Sequence, residues 1–67
     1  MNIVLNGKNF ELLSNEVSIA SLLEVRGLVG KRIAVEVNEE IIPRSEYNQY
    51  QLCEGDQVEI VGAVGGG

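Results

Sequence analysis

The stretch Val17-Ser18-Ile19-Ala20-Ser21-Leu22-Leu23-Glu24-Val25-Arg26-Gly27-Leu28 carries its own start, face and stop. The Ser18 hydroxyl is suited to accept a hydrogen bond from an orphan N–H of the first helical turn. Val17 and Leu22 stand at the N′ and N4 positions of a hydrophobic staple. Ile19, Leu22 and Leu23 recur at i, i+3 and i+4, which makes one apolar stripe. Gly27 sits where a left-handed residue ends a helix, and Leu28 beyond it is placed to touch Leu23. This predicts a short helix with a single apolar face, and that face needs a sheet to cover.

The flanking segments supply the sheet. Asn2 to Asn6 is apolar and β-branched, Gly7-Lys8-Asn9 reads as a turn, and Phe10 to Leu13 follows with partial alternation, giving a hairpin. Ile3, Leu5, Phe10 and Leu12 are its inward residues. On the other side, Arg32 to Val37 alternates, with Ile33, Val35 and Val37 inward and Ala34 and Glu36 outward. Asn38-Glu39 turns into Glu40-Ile41-Ile42-Pro43, which proline ends or confines to an edge. A two-residue type I′ turn prefers Asn-Gly, so Glu39 fits it imperfectly. Ser45 to Gln51 lacks periodicity and reads as a loop or one helical turn. Glu54-Gly55-Asp56 is a turn into Gln57 to Val61, with Val58 and Ile60 inward.

Hairpin, helix, hairpin, turn, strand is an α+β order in which one helix covers the face both hairpins present. The first and last strands then lie side by side at the centre. The expected architecture is a β-grasp, or ubiquitin-like, mixed sheet of about five strands with the main helix on one face. The domain is expected to span residues 1–61, with residues 62–67 expected as a flexible glycine tail.

Sixty-seven residues allow one small core. A hydrophobic content of 45% is that of a globular chain rather than a disordered one. Five basic against ten acidic residues, net −5, leave no basic stripe for nucleic acid and disfavour an anionic membrane. The same charge suits a protein partner with a basic face, and equally suits plain solubility. The opening Met1-Asn2-Ile3-Val4-Leu5 lacks the basic region of a signal peptide, and no apolar run is long enough to cross a bilayer. A soluble, intracellular protein is expected.

Internal chemistry is sparse. There is no histidine, the side chain best matched to proton transfer near neutrality. The single Cys53 has no partner for a disulfide and no Cys/His cluster for zinc, and is expected to pack in the core. Gly27-Leu28-Val29-Gly30 lacks the spacing of a phosphate loop. Tyr47 and Tyr50 read as packing residues. No catalytic residue and no metal site are expected. What is left is Gly65-Gly66-Gly67, either a frayed end or a segment slim enough to thread into another protein.

Three runs carry a family resemblance: Asn2-Ile3-Val4-Leu5-Asn6-Gly7, then Val35-Glu36-Val37-Asn38 with Ile42-Pro43-Arg44-Ser45, then Glu54 to Val61 leading to the final glycines. Together, from Met1 to Gly67, the chain resembles the ThiS family, the sulfur carriers of thiamine biosynthesis. Members often have glycine where Glu39 stands. The resemblance implies a carrier and not an enzyme, with no cofactor bound, acting in a bacterial cytoplasm or a plastid stroma. A ThiF-like adenylating enzyme, consuming ATP, would join AMP to the Gly67 carboxylate. Sulfur from a persulfide donor such as a cysteine desulfurase system would convert it to a thiocarboxylate, and a ThiG-like thiazole synthase would use that sulfur. Gly65 and Gly66 would thread the partner's active site. The outward faces of Val4, Ala34 and Ile42 are the expected docking residues. The related small sulfur-carrier subunit of molybdopterin synthase, and a ubiquitin-like interaction or modifier module, are the alternative readings.

Overall fold

The computed structural model describes residues 1–62; the expected tail beyond, with Gly65, Gly66 and Gly67, lies outside the described residues. Within them β1 (Asn2–Leu5) and β2 (Lys8–Glu11) form the first hairpin. Helix α1 (Ile19–Val25) follows. The second hairpin is β3 (Ile33–Val37) with β4 (Glu40–Ile42), then come a 3₁₀ turn at Arg44–Glu46 and β5 (Gln57–Gly62). The sheet order is β2-β1-β5-β3-β4, with β1 and β5 parallel and the other neighbours antiparallel. This is the expected β-grasp, with first and last strands adjacent at its centre.

The helix obeys its sequence signals. Ser18 Oγ accepts from the Ser21 N–H at 3.1 Å. Gly27 adopts φ 71°, its N–H donates to Glu24 O at 3.1 Å, and the Leu28 N–H donates to Leu23 O at 2.8 Å. Those two bonds are the Schellman pair. The aperiodic segment after β4 has a purpose that periodicity could not reveal. The first two helical N–H groups, those of Ile19 and Ala20, donate to the carbonyls of Tyr50 and Tyr47, both at 3.0 Å. Donors that a helix start leaves orphaned are thereby satisfied by backbone 27 or more residues downstream.

The core unites Ile3, Leu5 and Leu12, the helix residues Ile19, Leu22 and Leu23, and Val35, Val37, Ile42, Leu52 and Val58, with Val17 and Tyr47 also buried. Phe10, Ile33 and Ile60 pack against it while half-buried.

Four expectations are corrected. The first turn is Asn6-Gly7, not Gly7-Lys8-Asn9, because Leu5 pairs with Lys8 and leaves a two-residue loop. Its φ values, 50° and 83°, are both positive as a type I′ turn demands. Ile42 faces the core, only 7% exposed, because the Asn38-Glu39 turn sets it opposite Val35 and cross-strand partners share a face. Cys53 is exposed rather than buried. It starts a tight turn, donating its N–H to Asp56 Oδ2 at 2.8 Å, and Leu52 beside it takes the core position. Finally, β5 runs through Gly62, which pairs with Ile33, so the sheet extends one residue past the expected boundary at 61.

Candidate functional site

The strand that leads toward Gly67 is held on both sides by asparagines in the hairpin turns. Asn6 donates its N–H to Val58 O at 2.8 Å, and its Oδ1 accepts the Ile60 N–H at 2.8 Å. Asn38 donates its N–H to Gln57 O at 2.7 Å, and its Oδ1 accepts the Gln57 N–H at 3.0 Å. Asn38 Nδ2 reaches Asp56 Oδ1 at 3.1 Å. Asparagine tolerates positive φ better than most residues, and Asn6 and Asn38 sit at 50° and 51°. One residue type therefore makes each turn and anchors the strand beside it. Sequence reasoning missed this role, although the Asn6-Gly7 pair was a readable turn signal.

The strand ends against the start of β3. Gly62 pairs with Ile33 and Val61 with Ala34. Arg32, Ile33, Ala34, Arg44, Val61 and Gly62 line one shallow depression there. Five further residues, 63–67, follow Gly62. A chain of that length spans at most about 17 Å.

Of the expected docking residues, Val4 and Ala34 lie on the sheet face away from the helix, Val4 half-buried and Ala34 exposed. They do not form one patch. Val4 is registered with Gln57 and Ala34 with Val61, four residues apart on β5, or about 13 Å. Ile41, 71% exposed, presents the apolar side chain that was expected of Ile42. Beside Ile41 stands Glu36 on β3, directly opposite Glu59 on β5. The outer face is thus mixed, with carboxylates at its middle and Val61 beside Ala34 near the exit.

Among the described residues, no group of three or more His, Cys, Asp or Glu could hold a metal, and no helix is long and apolar enough to cross a membrane. The Tyr50 phenol is pushed above its ordinary value by burial and then by the charges of Asp56 and Glu40, away from the neutral range where proton transfer is useful.

Comparison with known proteins points to one family. The ThiS family model matches residues 3–67. The chain is 41% identical to the sulfur carrier protein ThiS of Bacillus subtilis, over 94% of this chain and 96% of that one. It is also 41% identical to a thiazole synthase of Paramagnetospirillum magneticum, covering 100% of this chain but only 20% of that protein. The chain thus spans about a fifth of that relative's length. The crystal structure of a thiamine biosynthesis protein (ThiS) from Geobacter metallireducens superposes with a TM-score of 0.87 at 28% identity, over 100% of both chains.

Proposed function

The chain belongs to the ThiS family, and from that premise we propose that it is the sulfur carrier of thiamine biosynthesis, a co-substrate whose reacting atom is the Gly67 carboxyl carbon. The observation that carries this reading is the family match through residue 67, on a domain with no metal-holding cluster among its described residues. C-terminal carboxylates ordinarily titrate near about 3.3–3.7, so at neutral pH they are anions and poor electrophiles. Activation therefore comes first. A carboxylate oxygen of Gly67 attacks the α-phosphorus of ATP on a ThiF-like adenylating enzyme, and pyrophosphate leaves.

The terminal sulfur of a donor persulfide, supplied by a cysteine desulfurase system, then attacks the carbonyl carbon, and AMP leaves. A second thiol cleaves the S–S bond of the acyl persulfide, forming a disulfide and releasing the Gly67 thiocarboxylate. A thiazole synthase takes that sulfur; the relative in which a segment like this chain is part of a thiazole synthase supports the pairing. Gly65 and Gly66 present no side chain to a narrow channel, and the folded body docks outside it. Docking must supply part of the affinity, because ordering a glycine segment costs entropy. The whole cycle takes place in the cytoplasm.

The test is ATP–pyrophosphate exchange with the cognate adenylating enzyme. Deleting Gly67, or adding one residue after it, moves the reacting carbon by about 3.3 Å or more. Misplacement by even ~1 Å can cost on the order of a hundredfold in rate. Both variants, and Gly66→Val, should keep the wild-type circular dichroism and lose exchange. Near-wild-type exchange by the folded deletion and extension variants would refute the carrier reading. Accurate mass of the protein purified from cells, with thiol tagging of Gly67, reads the thiocarboxylate directly.

A further inference from the structure

We propose that Lys31, Arg32 and Arg44 form a basic collar where the chain leaves β5, and that this collar docks on an acidic surface of the protein that receives Gly67. The inference rests on the carrier reading above and names the chemistry of the partner's docking face.

Three of the five basic residues gather at one end of a chain of net charge −5. Arg32 and Arg44 line the depression that also contains Val61 and Gly62. Lys31 and Arg44 border the adjoining apolar groove beside Leu28 and Val29. Arg44 Nη2 donates to Lys31 O at 3.4 Å, which is the one hydrogen bond these three side chains make among the described residues. All three are exposed. Their guanidinium and ammonium donors thus face water rather than internal carboxylates.

The surrounding sequence keeps this end free of acid. No Asp or Glu occurs from Val25 to Val35 or from Ile60 to Gly67. Glu46, two residues after Arg44, borders a separate depression with Gln49 and Tyr50. The acids collect elsewhere: Glu39 and Glu40 at the β3–β4 turn, with Glu54 and Asp56 just before β5. Glu40 pairs with Val37 and Val37 with Val58, so the β3–β4 turn lies beside the start of β5, where Asp56 precedes Gln57, at the end of the sheet opposite Gly62. The domain is therefore a charge dipole along β5, with its positive end at the exit.

The collar holds three of the five cations, whereas Lys8 and Arg26 line a separate depression beside Phe10. An acidic partner face is best matched by the collar end, and that orientation also turns the end of β5 at Gly62 toward the partner. Charge complementarity of this kind acts mainly on encounter and register, and like-charge contact discourages the wrong poses. Exposed Val29 and Val61 beside the cations add apolar area, and arginine next to apolar side chains is a frequent centre of binding energy.

The test uses the exchange assay with the carrier as varied substrate. Arg32→Gln and Arg44→Gln each lower the net charge by one, as does Asn15→Asp in the exposed loop before α1. Each arginine variant should raise KM for the carrier about threefold or more over Asn15→Asp, with kcat unchanged. That gap should close between about 0.05 M and about 0.5 M salt as screening shortens. Arginine variants whose KM stays within about twofold of Asn15→Asp, while wild type supports exchange, overturn the collar and leave the carrier reading standing. A rise in KM for ATP instead would make the collar a nucleotide-phosphate site and equally overturn the proposal. No exchange by folded wild type removes both.

Discussion

Glu39→Gly should stabilise this protein, while the same change one residue earlier should weaken it. Both Asn38 and Glu39 sit in left-handed backbone, at φ 51° and 71°. For an L-residue other than glycine or asparagine that conformation costs about 1–2 kcal/mol. Glycine removes the cost but frees the unfolded chain, which returns about 0.4–1 kcal/mol. For Glu39, an exposed residue with no side-chain hydrogen bond among the described residues, the net gain is about 0.5–1 kcal/mol. Asn38 differs because its amide accepts from Gln57 N–H and donates to Asp56 Oδ1. Two bonds of about 0.5–1.5 kcal/mol each are lost in Asn38→Gly, against a smaller backbone strain that asparagine already tolerates. Urea unfolding followed by circular dichroism reads the difference. With a slope of about 1 kcal/mol per molar for a domain this small, Glu39→Gly should raise the midpoint by about 0.5–1 M. Asn38→Gly should lower it by about 1 M. Glu39→Gln keeps the Cβ and removes the charge, and should move stability by less than about 0.5 kcal/mol. A clear drop for Glu39→Gly, or equal gains at both positions, would refute the strain argument.

Cys53→Ser should keep wild-type stability within about 0.5 kcal/mol, since the side chain is exposed; slow reaction of the native thiol with a thiol reagent would contradict that placement. The same variant should accept sulfur at Gly67 normally, checked by thiocarboxylate tagging. Glu59→Lys replaces a like-charged pair across β3 and β5 by an opposite one, raising stability by about 0.5 kcal/mol in low salt and less in high salt. Tyr50 has its phenol raised from the ordinary 10.0 by burial first. Folding therefore favours the neutral form. That contribution is fully present below pH 10, where the unfolded phenol titrates, and it is lost as pH rises through the folded value. Tyr50→Phe should flatten the alkaline limb of a stability–pH curve, and an unchanged limb would show that the phenol is not responsible.

Most of the fold was legible because its signals are local. Ser18, Gly27 and the Ile19, Leu22, Leu23 stripe define α1 within a dozen residues, and the alternation of Ile33, Val35 and Val37 defines β3. What was misread depended on register or on distant partners. Ile42 and Ile41 are adjacent apolar residues, and only the two-residue Asn38-Glu39 loop decides which one faces Val35. Cys53 looked apolar by its neighbour Leu52, but the carboxylate of Asp56 pulls its backbone into a turn. The capping of Ile19 and Ala20 by Tyr50 and Tyr47 joins segments with no shared periodicity. Of the site, the role expected of Gly67 rests on the family resemblance and lies outside the described residues, whereas the grouping of Arg44 with Arg32 required the sheet to bring them together.

The parallel placement of β1 beside β5 also governs how the domain bears a load. A partner that grips the glycine segment and pulls would load β5 along its own length. The resisting bonds lie across that direction: the ladder to β3 over five registered pairs, the parallel contact with β1, and the amide clasps of Asn6 and Asn38. Under such a shear the bonds share the tension and must fail together, whereas a hairpin peeled from its end yields one bond at a time. Forced unfolding is governed by the unfolding rate rather than by equilibrium stability. A small domain built this way would resist unravelling from the end being held.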